Sequence, residues 1–162
     1  MTEVLITLIS VSGTLAAGVL ASLVQTRSRD RADERAEANR TNDQKADALA
    51  DFASRVVDYR RTTLAAWHEV YQAREDGRTL DFDQTPSAHE QRSVRAGAWA
   101  ALYRIRLLWP DKEIVTRAES LLLKVDDLKD LTDLTVLKQQ GDAIRAEVGE
   151  LTDHASTRLV RR

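Results

Sequence analysis

The chain has 162 residues with 43% apolar and 31% charged side chains, enough for one modest domain, and neither a disordered tail nor a polytopic membrane protein. A formal charge of −2 gives no global attraction to nucleic acid, and the lack of Cys excludes disulfides, thiol nucleophiles and Cys-type zinc sites. With only 6 Gly and 2 Pro, few residues interrupt the backbone, so long helices are expected.

Residues 4–24, VLITLISVSGTLAAGVLASLV, carry no charge. As a helix at 1.5 Å per residue they cover roughly 31 Å, about one hydrocarbon core, so residues 1–24 are expected to form a transmembrane anchor. A cleaved signal peptide is the main competitor. Against it stand the length of the apolar run, a leading segment with Glu3 and no Lys or Arg, and arginines placed after the span at Arg27, Arg29 and Arg31. Basic flanks stay on the cytoplasmic side. The expected location is therefore the cell membrane, single-pass, with the N-terminus outside and residues 25–162 in the cytoplasm. Those arginines are expected to contact anionic headgroups, worth about 1 kcal/mol each.

The span also presents small residues at helical spacing. Ser10, Thr14, Gly18 and Ser22 form one row, and Gly13, Ala17 and Ala21 a second beside it. Such a face lets another helix approach closely, so self-association through the anchor is one reading. The other is that Gly, Ala and Ser are simply common in membrane helices.

Residues 25–45, QTRSRDRADERAEANRTNDQK, form a charged connector. Its composition favours helix, and no Gly or Pro interrupts it. Attractive and repulsive pairs at helical spacing roughly cancel. A solvated helical stalk is expected in preference to a flexible linker, and a coiled coil is disfavoured because no large apolar residues occupy seam positions.

From Ala46 the apolar pattern returns. Leu49, Phe52, Ala53, Val56, Val57, Leu64, Trp67, Val70 and Tyr71 follow helical spacing to an end near Gly77. Residues 77–86 read as a loop. A second helix starts either with Thr85 as cap and Pro86 at the first position, or with Ser87 as cap and Glu90 completing a capping box. It carries Val94, Ala98, Ala101, Leu102, Ile105 and Leu108 and breaks at Trp109–Pro110. A third helix uses Ile114, Val115, Ala118, Leu121, Leu122, Val125 and Leu128. A fourth, capped by Thr132 or Asp133, uses Leu137, Ile144, Val148, Leu151, Ala155 and Leu159. Gly141 and Gly149 weaken it by about 1 kcal/mol each relative to Ala. The expected fold is all-α: anchor, charged helical stalk, then an antiparallel bundle of about four helices over residues 46–162.

No catalytic constellation emerges, and the protein is expected not to be an enzyme. His68–Glu69 opens like a zinc-protease motif, but the second His position holds Gln72. His68, His89 and His154 read as solvated or interface residues. The acidic run Asp126, Asp127, Asp130 and Asp133 lacks the Gly and spacing of a calcium loop and reads as a solvated turn, as do Asp81 and Asp83. Basic clusters at Arg60–Arg61, Arg92–Arg95, Arg104–Arg106 and Arg158–Arg162 mostly have acids nearby, which disfavours direct nucleic-acid binding. Trp67, Trp99 and Trp109 are assigned to core packing, with an exposed partner surface second. No cofactor or metal is expected. The expected partners are membrane lipid, a second copy, and a protein the sequence does not identify.

The segment GTLAAGVLASLVQTRSRDRADERAEA, the helix with VDYRRTTLAAWHEVYQARE and the stretch LLWPDKEIVTRAESLL together resemble a group of short actinobacterial, especially streptomycete, membrane-anchored proteins, the KilB-like plasmid spread proteins. The resemblance spans most of the chain. It implies a role in intramycelial spread of conjugative plasmids alongside a DNA-translocating ATPase, and supplies no catalytic residues. The expected function is thus a non-enzymatic, membrane-anchored interaction protein accessory to plasmid spread. The alternative is a small prophage or phage-defence effector whose oligomerised anchors perturb the bilayer.

Overall fold

The structure, a computed structural model, describes the helical backbone through residues 2–160 and side chains over residues 33–159. The small-residue face (Ser10, Gly13, Thr14, Ala17, Gly18, Ala21 and Ser22) and the headgroup arginines (Arg27, Arg29 and Arg31) lie outside the described side chains. Among the described residues no helix is long and apolar enough to cross a membrane.

The described residues form four α-helices: α1 Thr2–Glu75, α2 Pro86–Leu108, α3 Lys112–Asp127 and α4 Leu134–Val160. Short 3₁₀ turns, Phe82–Gln84 and Leu128–Asp130, occupy the first and last connections among them. No strand is found among the described residues. The chain divides into two units, Met1–Asn42 and Asp43–Arg162.

Side-chain caps mark the starts of α2, α3 and α4. Thr85 caps α2, its hydroxyl accepting from Ala88 N at 3.0 Å with Pro86 at the first helical position, which is the first of the two starts that the sequence allows. Ser87 is not the cap: its hydroxyl donates to Glu69 on α1 at 2.6 Å. Asp111 caps α3 by accepting from Glu113 N at 2.9 Å. For α4 the choice between Thr132 and Asp133 falls to Asp133, which accepts from Thr135 N at 2.7 Å and Val136 N at 3.1 Å. α1 ends at Gly77, whose φ of +72° is the left-handed conformation that Gly adopts without a side-chain penalty.

Contacts along the second unit run in opposite senses from helix to helix. On α1 and α2, Lys45 meets Trp109 while Glu69 meets Ser87. Arg106 pairs with Glu119 and Arg95 with Asp126 between α2 and α3, and Lys124 pairs with Glu147 while Glu113 meets Arg158 between α3 and α4. The result is an up-down-up-down bundle, the solution that short connections favour. Its interior holds Phe52, Val56, Leu102, Ile105, Ile114, Leu121, Leu122, Leu137, Ile144 and Leu151, all buried. Of the expected core positions Val57 is exposed, because the neighbouring helices cover Val56 instead, and Ala53, Leu64, Tyr71, Val94, Leu108, Val115 and Leu159 are only partly buried. Gly141 does more than weaken α4: a Cβ there would meet Leu64 Cδ1 at 3.2 Å, so the missing side chain lets α4 close on α1.

Candidate functional site

A partly buried polar network of the bundle converges on Asp126, in the last turn of α3. Tyr59 of α1 donates its hydroxyl to Asp126 Oδ1. Arg95 of α2 donates Nε to Oδ1 at 2.8 Å and Nη2 to Oδ2 at 3.0 Å, a two-pronged pairing that matches guanidinium to carboxylate. Behind them the buried Gln91 amide reaches Tyr59 Oη and Thr63 Oγ1, each at 3.4 Å. Three helices thus meet on one carboxylate. Burial disfavours ionised Asp126, but the Arg95 guanidinium and the Tyr59 hydroxyl outweigh it and hold the carboxyl below its usual range. Burial, reinforced by the neighbouring carboxylate, pushes the Tyr59 hydroxyl well above its ordinary value.

Asp126 therefore corrects the reading of the acidic run as a solvated turn. Its side chain is 16% exposed and tied to two helices. Asp127, Asp130 and Asp133 are exposed, and Asp133 is consumed as a cap. The sequence contained a signal for this network: Tyr59, Gln91 and Thr63 are polar residues at positions in register with the apolar stripes of their helices. What it did not contain was which carboxylate would meet them.

The far end of the bundle is fastened by aromatic donors. Trp67 donates Nε1 to the buried Leu128 carbonyl at 3.0 Å, and Tyr71 donates its hydroxyl to the Thr132 carbonyl. Phe82 packs on Trp67 with ring centroids 5.4 Å apart. Trp109 is likewise buried and donates Nε1 to the Lys45 carbonyl at 3.4 Å. Trp67 and Trp109 therefore serve packing. Trp99 is only partly buried, and its ring lies 6.3 Å from that of Tyr103 on the outer side of α2.

The basic clusters are dispersed among carboxylates. Arg60 donates Nε to the Gly141 carbonyl and approaches Asp142 at 3.3 Å, while Arg61 lies 3.6 Å from both Asp58 and Glu90. Arg92 stands 3.9 Å from Asp83, and Arg158 contacts Asp111 and Glu113 at 3.5 Å. Arg104 pairs with no carboxylate among the described residues. Of the histidines, His89 places Nδ1 3.0 Å from its own helix's Thr85 carbonyl, and His154 Nε2 lies 3.5 Å from Glu113. Among the described residues no His/Asp/Glu group is arranged to hold a metal ion. A groove of about 520 Å³ between α3 and α4 is lined by Arg117, Lys124, Glu147 and Glu150, with Lys124 and Glu147 already paired across it at 2.6 Å.

Two kinds of polar chemistry are thus present: an interior network closed on itself, and a surface on which most of the clustered arginines stand near carboxylates. Exposed large apolar side chains stand apart from both, notably Tyr103 and Leu107 on α2, Leu123 on α3, and Leu134 and Val136 at the start of α4. Compared with known proteins, residues 46–159 match the family described as KilB plasmid transfer protein. No curated protein and no solved structure matches the chain.

Proposed function

This chain belongs to the KilB plasmid transfer protein family, and from that premise we propose that it is a non-enzymatic, membrane-anchored interaction protein that assists the spread of a conjugative plasmid. The observation that carries the reading is the extent of the match. Residues 46–159 span the helical bundle almost end to end, so the family's shared element is the bundle. The described side chains support a binding role over a chemical one, because the partly buried Asp126 carboxylate is occupied by Tyr59 and Arg95.

The mechanism we infer is tethering. Residues 4–24 insert as a single span, the trailing arginines hold residues 25–162 in the cytoplasm, and the bundle recruits a protein of the transfer machinery. Self-association through the small-residue rows would raise the local density of bundles at one site. Membership of a plasmid transfer family favours this reading over a bilayer-perturbing effector.

The test is a plasmid-spread assay in a host carrying the parent plasmid. Deleting the gene is expected to reduce spread, and the full chain supplied in trans restores it. A version lacking residues 4–24 is expected in the soluble fraction without restoring spread. Normal spread after deletion sinks the functional reading, and full restoration by the truncated version sinks the tethering mechanism.

A further inference from the structure

The outer side of α2 carries an apolar seam. Ala96, Ala100, Tyr103 and Leu107 are all exposed and recur at alternating spacings of four and three residues, the spacing that faces a neighbouring helix. In this bundle no helix covers them: Tyr103 is 53% exposed and Leu107 86%. The half-buried Trp99 supports the Tyr103 ring from the side. A leucine so exposed, adjoining a tyrosine one turn away, is a different feature from singly scattered apolar residues.

Charge identifies what fits on it. α2 contains Arg92, Arg95, Arg104 and Arg106 but a single acidic residue, Glu90, which already stands 3.6 Å from Arg61. Helical periodicity sets Arg104 on one border of the seam and Arg92 and Arg106 on the other. Arg106 is paired with Glu119 at 2.6 Å and lies over the Tyr103 ring at 5.7 Å, and Arg92 stands 3.9 Å from Asp83, whereas Arg104 has no carboxylate partner among the described residues. A second copy meeting this face across a two-fold axis would bring Arg104 of one α2 towards Arg104 of the other, while the one acid of each α2, Glu90, already stands near Arg61. The occupant has to supply a carboxylate for Arg104.

We propose that the α2 seam of Ala96, Ala100, Tyr103 and Leu107 is a docking site for an amphipathic helix of a partner protein, with an apolar stripe that covers Tyr103 and Leu107 and an acidic border that meets Arg104. This deepens the interaction reading given above and rests on it for biological meaning, though not for its test. Tyr103 is the anchor, since a tyrosine gives a large contact area at small entropic cost, and Leu107 extends the apolar contact by one turn.

The test uses the full chain in detergent and two fluorescein-labelled synthetic helices with the same leucine stripe, one bordered by Glu and one by Lys. The Glu-bordered peptide is expected to bind, and Leu107→Asp is expected to weaken it about tenfold or more. Arg104→Glu weakens it several-fold and improves binding of the Lys-bordered peptide. Both substituted side chains are exposed, and unchanged circular dichroism confirms that the bundle stays folded. Failure of the Glu-bordered peptide to bind, equal binding to the Leu107→Asp variant, or equal binding of both peptides to the parent chain overturns the proposal. So does a drop in oligomeric mass on Leu107→Asp, measured by sedimentation, which assigns the face to a second copy. A chain that binds the peptide as described yet has no role in plasmid spread would end the functional reading and leave the docking site standing.

Discussion

Replacing Asp126 by Ala tests whether one carboxylate joins three helices. The substitution removes the acceptor for the buried Tyr59 hydroxyl, a hydrogen bond to a charged group, worth about 1.5–3 kcal/mol. It also removes the pairing with Arg95, whose side chain is 49% exposed and therefore screened, so that part contributes about 1 kcal/mol or less. Tyr59 is left with only the Gln91 amide at 3.4 Å. The expected cost is about 1.5–4 kcal/mol. Arg95→Ala should cost about 1 kcal/mol because it exposes no unpaired buried group, and Tyr59→Phe about 1–2 kcal/mol because Asp126 keeps Arg95. Urea unfolding of the full chain in detergent, followed by circular dichroism, ranks the three. A double-mutant cycle between Tyr59→Phe and Asp126→Ala should show coupling above about 1 kcal/mol. If Asp126→Ala costs no more than Arg95→Ala, or if the cycle is additive to within about 0.3 kcal/mol, the carboxylate is not the junction described.

The same network fixes the sign of the pH dependence. Asp126 is held below its usual range, so its contribution is present above the ordinary carboxylate pKa of about 4 and lost as pH falls through its lower folded value; Asp126→Asn should flatten this acid limb in a thermal-melt series. Tyr59 is shifted upward, so its contribution is whole below the ordinary tyrosine value of about 10 and is lost as pH rises beyond it; Tyr59→Phe should remove that alkaline loss from the same series. The two glycines of α4 should part company. Gly149 has open space where a Cβ would go, so Gly149→Ala should stabilise by about 0.5–1 kcal/mol, whereas Gly141→Leu must displace Leu64 and should destabilise by about 1–3 kcal/mol, both read from urea midpoints. Thr85→Ala should cost about 1 kcal/mol as the loss of a helix cap, and a smaller effect than that of Ser87→Ala would reverse the assignment of the cap.

Much of the bundle was legible because helices in water declare themselves through periodicity. The apolar runs on α2, α3 and α4 mark faces that must be covered, and Pro110 and the caps mark where each helix starts or stops. The start of α2 was not decided locally, because Thr85 and Ser87 both satisfy a capping pattern. What separates them is Glu69, eighteen residues upstream, which takes the Ser87 hydroxyl and backbone N–H. Val57 was misread for a related reason. Adjacent residues can both be buried, as Leu121 and Leu122 are on α3, so only the position of the neighbouring helices selects Val56 and leaves Val57 outside.

The sequence by itself determined the helical class, the order of the helices, most of the core and the family to which residues 46–159 belong, since each follows from local spacing and residue type. Tertiary structure alone decided which polar and apolar residues are covered. Asp126 sits in a run of aspartates that look alike along the chain, and only the arrival of Tyr59 and Arg95 from other helices removes it from water. Tyr103 and Leu107 carry the same spacing as core residues, yet the bundle closes on the opposite side of α2 and leaves them outside. Periodicity states that a face is apolar; it takes the positions of all the helices to state what that face meets.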